Sequence, residues 1–205
     1  MKGKKNIFGF WLLVSLGILF GSCTKGNSNG ETIVPIGEEY FDVEKLFSDV
    51  KPSFDEVKRI MRIGDEDLIP PKLDSVYLVN RMRLINSNYD EAPVSISDIE
   101  MRFNRQHNSI VNIEFSESSI TQKIDSAYVI GKNDDFTIYF VEERDYPIMN
   151  YHVRLKRGII MCGTVTQAGL SDFRIAFIVM NWKDDSHGVL HPYDPGTYMV
   201  YEEEN

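Results

Sequence analysis

Two cysteines, Cys23 and Cys162, are all the thiol that this 205-residue chain contains. That is too few for the disulfide framework on which small exported domains lean. Histidine is scarce too, with only His107, His152, His187 and His191. No phosphate-cradling glycine loop, nucleophile elbow or paired-cysteine metal motif occurs, so no cofactor is expected. Basic charge is in deficit: 22 lysines and arginines stand against 31 aspartates and glutamates, for a formal net charge of −9. Nucleic-acid binding requires a basic footprint, and the expectation is that this chain binds none. Long hydrophobic runs are also missing. The apolar stretch Ile7–Phe20, interrupted only by small residues such as Gly9, Ser15 and Gly17, falls short of the ~20 residues that a helix needs to cross a bilayer. No internal repeat or low-complexity tract is present.

What is there begins with that short run. Lys2, Lys4 and Lys5 precede it and small residues follow it, the order of a secretory signal: basic flank, apolar stretch, small residues before the cut. The stretch "FGSC" (residues 20–23) resembles a bacterial lipobox, with Phe20 where leucine is usual and Leu19 one residue earlier. The resemblance implies a lipidated cysteine: diacylation on the sulfur of Cys23, cleavage at its amino side and a further acylation. Several chains anchor stably, because each buried methylene adds ~0.8 kcal/mol. The alternative is a soluble exported protein cut near Ser22. The N-terminal segment resembles that of uncharacterised Bacteroidetes lipoproteins, and the resemblance carries no activity to the rest of the chain. Related lipoproteins displayed at the cell surface carry an acidic cluster after the cysteine. Here Lys25 is followed by uncharged residues as far as Glu31, and Thr24 replaces the aspartate that retains enterobacterial lipoproteins in the inner membrane. The expected location is the cell envelope, at the outer membrane and facing the periplasm.

These features divide the chain into a signal peptide (1–22), a lipidated tether (23–35) and a single β-rich domain (36–205). The tether, "TKGNSNGETIVP" after the cysteine, is polar, glycine-bearing and patternless, the composition of a flexible linker. Losing the three signal lysines takes the formal charge from −9 to −12. Such a charge keeps a domain soluble and monomeric, and it also suits a basic partner. With Cys23 lipidated, Cys162 has no partner in the chain. It lies in the apolar stretch "GIIMCGTV" and reads as a small buried hydrophobe rather than a nucleophile.

"PSFDEVKRIMRIG" (52–64) carries the clearest helix signal. Ser53 and Glu56 have capping-box spacing, Val57, Ile60 and Met61 make an apolar stripe, and Gly64 stands as a stop. Tyr40, Val43, Phe47 and Val50 upstream have near-helical spacing for a second helix. From Ser75 onward the period becomes two. Ile99, Met101 and Phe103 face one way while Glu100, Arg102 and Asn104 face the other, and Val111, Ile113 and Phe115 repeat the alternation after "NRQHN". Further strands are predicted near 75–86, 121–131, 136–143, 150–156, 159–167, 172–182 and 196–202, with turns at "GKNDD", "KRG" and "AGLSD". "FTIYFV" (136–141) and "FRIAFIVM" (173–180) are apolar on both faces, so something must cover the second face. The helix near 54–63 is the obvious cover. The expected fold is mainly β: an antiparallel meander of eight to nine strands, forming a lipocalin-like barrel or a strongly bent sheet with one or two N-terminal helices.

Candidate chemistry is sparse. "DDSHGVLHPYDPG" (184–196) gathers Asp184, Asp185, His187, His191 and Asp194 in one loop, ligand types that zinc accepts. Gly188 and Pro192 deny the two histidines a shared helical face, so the loop is expected to be a plain connection. His152 is a conceivable acid–base residue in a strand, although no partner can be named. Trp182, Tyr193, Tyr198 and Tyr201 would suit sugar if they formed an exposed platform; as core and rim residues they would not. "GDEDL" and "EEEN" read as solvated runs. The expectation is therefore a membrane-anchored, non-enzymatic binding or scaffold domain for a small apolar ligand or a partner protein. The alternatives are a glycan-binding accessory and an enzyme whose site is assembled across strands. An apolar cavity would favour the small ligand, and a filled core with an exposed apolar edge would favour the protein.

Overall fold

The computed structural model describes residues 41–64, 69–117, 120–148, 151–184 and 193–204. Two helices come first. In α1 (Val43–Leu46) the Asp42 carboxylate accepts from the Lys45 N–H at 3.0 Å, satisfying one of the orphan donors of the first turn. A 3-10 turn (Ser48–Val50) leads into α2 (Lys51–Met61). The Ser53–Glu56 capping box does not form. Pro52 lies in the first turn of α2, which starts two residues before Ser53, so Ser53 sits inside the helix. Its hydroxyl donates instead to the Gly196 carbonyl at 2.6 Å, and Glu56 pairs with Arg59. The stop also comes earlier than Gly64: Arg62 takes the left-handed conformation at φ 59° and its N–H closes on the last turn.

Ten antiparallel strand segments follow: β1 (Val76–Val79), β2 (Met82–Ser87), β3 (Ser95–Ile96), β4 (Ile99–His107), β5 (Ile110–Glu117), β6 (Ile120–Lys132), β7 (Asp135–Ile148), β8 (Tyr151–Thr166), β9 (Gly169–Asp184) and β10 (Tyr198–Glu203). Their order in the sheet is β1-β4-β5-β6-β7-β8-β9-β10-β2-β3. The two ends of that order must meet, because β1 runs into β2 through Asn80 and Arg81 alone. The registers Val76↔Arg102, Val79↔Ile99 and Met82↔Ile96 make β1–β2 and β3–β4 two kinked lines of one hairpin. β10 pairs with the other side of β2. Eight lines of strand therefore curl into an incompletely closed barrel, as the meander pattern predicted.

The predicted strand at 75–86 is broken at this kink. Val79 and Met82, three residues apart, both stay in the core, so the kink corrects a period-two slip. A second departure lies at "KRG". Lys156, Arg157 and Gly158 are not a turn but the middle of β8, which fuses the two strands expected at 150–156 and 159–167. Opposite Lys156 and Arg157 the register shifts by one, leaving Met180 of β9 as the extra, bulged residue. The turn at "GKNDD" is where expected, with Asn133 at positive φ. The next comes slightly earlier than "AGLSD", at Gln167 and Ala168, and β9 already begins at Gly169, which takes positive φ.

Both faces of the central strands are buried. Phe103, Phe136, Ile138, Phe140, Met161 and Ile175 fill the inside of the curl. On the outside Tyr139, Val141, Ile160, Ala176 and Ile178 are covered by Phe47, Val50, Phe54, Val57 and Met61. Phe47 and Phe54 stack at 4.5 Å between centroids, and both meet Tyr139 edge-on at 6.4 Å. The helices are thus the cover that the doubly apolar strands required.

Candidate functional site

Of the sequence candidates, Cys23, Asp185, His187 and His191 lie outside the described residues. The backbone of Asp184 ends β9, and Asp194 is exposed in the turn before β10, where its carbonyl accepts from the Thr197 N–H. Among the described residues no three His, Cys, Asp or Glu side chains gather as metal ligands. His152 is exposed on β8, close to the Asp145 carboxylate that pairs with Arg154. Trp182 is half-buried, while Tyr193, Tyr198 and Tyr201 are buried in core clusters. Burial pushes the Tyr193 and Tyr201 hydroxyls well above the usual phenol range. Rings so placed form no platform. Cys162 points its sulfur at the Met61 carbonyl, and burial pushes the thiol up to about 12, which leaves it protonated and inert at neutral pH.

Among the described residues, the inside of the curl holds a charged cluster. Glu142 on β7 faces Arg157 on β8 in direct register, and both are buried. Arg157 Nε donates to Glu142 Oε1, and Gln122 Nε2 on β6 donates to Glu142 Oε2 at 2.6 Å. The Arg157 guanidinium lies 5.2 Å from the centre of the Phe177 ring. Arg144 Nε stands 3.1 Å from Glu142 Oε2 but out of line for a hydrogen bond. β6 and β7 pair only over Tyr128–Lys132 and Asp135–Tyr139. The Gln122–Glu142 bond therefore ties them together where they have already parted. Beside it a void of about 10 Å³ lies among Phe115, Ile159, Met161 and Ile175, no more than one water molecule requires.

At the other end of the curl the wall has a seam. β10 pairs with β9 only as far as Glu202↔Arg174, whereas β9 begins at Gly169. β1 approaches β9, but no ladder joins them. Phe103 N–H donates to the Ser75 carbonyl at 3.1 Å, so Ser75, Tyr77 and Val79 bond to β4. By alternation Val76, Leu78 and Asn80 turn their backbone groups to the seam. The Asn80 N–H is met by Glu203 Oε1 at 2.9 Å. No described group meets those of Val76 and Leu78, whose side chains are 50% and 65% exposed. Past the Asn80 end of this edge, between β2, β9 and β10, lies an open cleft of about 420 Å³ lined by Arg83, Asp172, Phe173, Arg174 and Glu202–Glu204. Glu202 takes up both arginines, Arg83 at 2.5 Å and Arg174 at 3.7 Å.

The C-terminal acidic run is therefore more than a solvated tail. No sequence signal connected it to β1, since the contact depends on how the sheet closes. Glu142 and Arg157 were legible in principle: each falls on an inward position of its strand, two residues from Phe140 and Ile159. The turn-like composition of "KRG" hid that alternation.

No family model, no curated protein and no solved structure matches the chain.

Proposed function

We propose that this chain is an exported lipoprotein, anchored through lipid on Cys23, whose β-domain binds a partner protein rather than a small apolar ligand. The observation that carries this reading is the filled interior: buried aromatic and aliphatic side chains occupy the inside of the curl. Small-molecule sites are concave pockets of ~300–1,000 Å³, mostly apolar. The one sizeable cleft described above is open and lined by charge. The exposed large apolar side chains among the described residues are Ile69, Val94, Val76 and Leu78. The last two lie on β1, where a strand with unpaired backbone groups is a template for another chain. The signal-like N-terminus and the small residues before Cys23 support export and lipidation. Among the described residues no helix is long and apolar enough to cross a membrane.

The test is site-specific photo-crosslinking in the source cells, with the reactive residue placed at exposed positions around the barrel, including Leu78, Arg102 and Lys123. A discrete adduct with one protein, obtained from a restricted set of positions, is expected. A Cys23→Ala variant that still incorporates a fatty-acid analogue overturns the anchoring. Absence of an adduct at every position, together with a small apolar molecule retained by the purified protein, overturns the partner.

A further inference from the structure

Resting on the reading of this domain as a protein-binding module, we infer that the seam edge of β1 is the docking site, and that its occupant is an extended, basic segment of a partner protein. The backbone supplies the affinity. Val76 and Leu78 present N–H and C=O groups outward along one strand edge, the pattern that strand addition uses, with side-chain positions giving specificity. Asn80, next on the same edge, shows how the edge is satisfied where it is satisfied. The Glu203 carboxylate takes the place of a neighbouring strand's carbonyl, accepting from the Asn80 N–H at 2.9 Å and its side-chain amide at 3.1 Å. The two positions before it have no such substitute among the described residues.

Charge selects the occupant. Glu202 is matched by Arg83 and Arg174, but Asp172, Glu203 and Glu204 have no basic side chain within ion-pair distance among the described residues. Glu203 and Glu204 lie at the Asn80 end of the edge, and Asp172 lines the same cleft as they do. These carboxylates favour lysine or arginine on the part of the incoming segment that reaches this end and repel an acidic one. They also disfavour a second copy of this chain, which is itself acidic. Geometry adds one requirement. Neighbouring strands sit about 4.8 Å apart, so a strand between β1 and β9 needs nearly 10 Å, and β1 must swing outward to admit it. β1 is four residues long and laddered on one side only, which makes it the segment of the wall able to do so. Where β6 and β7 part, both strands also have an unladdered side. On β7 it carries Pro147 among the residues that face away from β8, a proline that blunts pairing there, and the two strands are tied across the gap by the Gln122–Glu142 bond.

The probes are two acetylated nine-residue peptides, one alternating valine with lysine and one alternating valine with glutamate. Each is titrated into the full chain in detergent and followed by hydrogen exchange. The lysine peptide is expected to slow exchange of the Val76 and Leu78 amides by about tenfold at saturation, with an affinity that falls as salt rises, and the glutamate peptide to leave them unchanged. Leu78→Pro removes the edge-facing N–H without removing a donor from the β4 ladder, a position where strands tolerate proline. It is expected to abolish this protection while leaving the melting temperature in place. A second variant, Asp172→Asn with Glu203→Gln and Glu204→Gln, is expected to equalise the two peptides. Equal binding of both peptides by the unaltered chain overturns the inference. So does protection at another strand, or protection of β1 by self-association without peptide. Those outcomes leave the crosslinking result untouched, so a wrong docking site is distinguishable from a wrong functional class.

Discussion

The ring of Phe47 lies directly on the backbone of Gly158, so that a β-carbon at 158 would overlap its Cε1 and crowd its Cζ at 2.9 Å. This contact lets the helical segment sit flush against β8, where Phe47 joins Phe54 and Tyr139 in the outer core. Gly158→Ala is therefore expected to destabilise the fold by about 1–3 kcal/mol, the usual cost of overpacking. Gly64, where a β-carbon would meet nothing within 4 Å, is the control; its alanine variant should stay within about 0.5 kcal/mol. Chemical denaturation of both variants checks the pair.

The buried Glu142–Arg157 pair makes a sharper prediction. Glu142→Ala leaves the Arg157 guanidinium inside the curl without its carboxylate, and loss of one partner of such a pair costs about 3–5 kcal/mol. Replacing both, Glu142→Leu with Arg157→Met, removes the charges together and should recover most of that loss. If the single and double variants are equally unstable, the pair is not what holds β6, β7 and β8 at this end.

Cys162 is a reporter of packing. Its thiol, raised by burial to about 12 from an ordinary 9.0, stays protonated in the folded chain when the unfolded chain has ionised. The folded state then binds more protons than the unfolded one, so stability falls as pH rises through the window from 9.0 to about 12. Cys162→Ala should flatten that alkaline slope. A maleimide at about pH 8 should label Cys162 only after urea is added.

For the loop that holds His187 and His191, the sequence supports a connection and nothing more. Replacing both histidines with alanine should change stability by less than ~0.5 kcal/mol. Added zinc should leave the melting temperature unchanged, since a ligand of the folded state would raise it. A zinc-dependent rise lost in the double variant would make the loop a metal site.

The legible part of the fold was whatever rests on local periodicity. Alternation at Ile99, Met101 and Phe103 and the doubly apolar strand 136–141 fixed strand character and the need for a helical cover, and both hold. Ser53 misled because capping spacing is common, and its hydroxyl has a tertiary partner, Gly196, that lies 143 residues away. "KRG" misled because its composition is that of a turn, whereas its glycine answers to Phe47. The candidate site was not legible. It depends on which ends of the sheet meet, and the contact of Asn80 with Glu203 joins residues 123 apart.

Native mass spectrometry of the full chain, extracted gently from source membranes, tests the central claim most directly, because it weighs whatever the folded domain retains. The account predicts a complex whose added mass is a polypeptide, released as salt rises, with the chain itself free of any apolar guest beyond its own lipid. A single small apolar molecule held in stoichiometric amount, with no polypeptide bound, would contradict it.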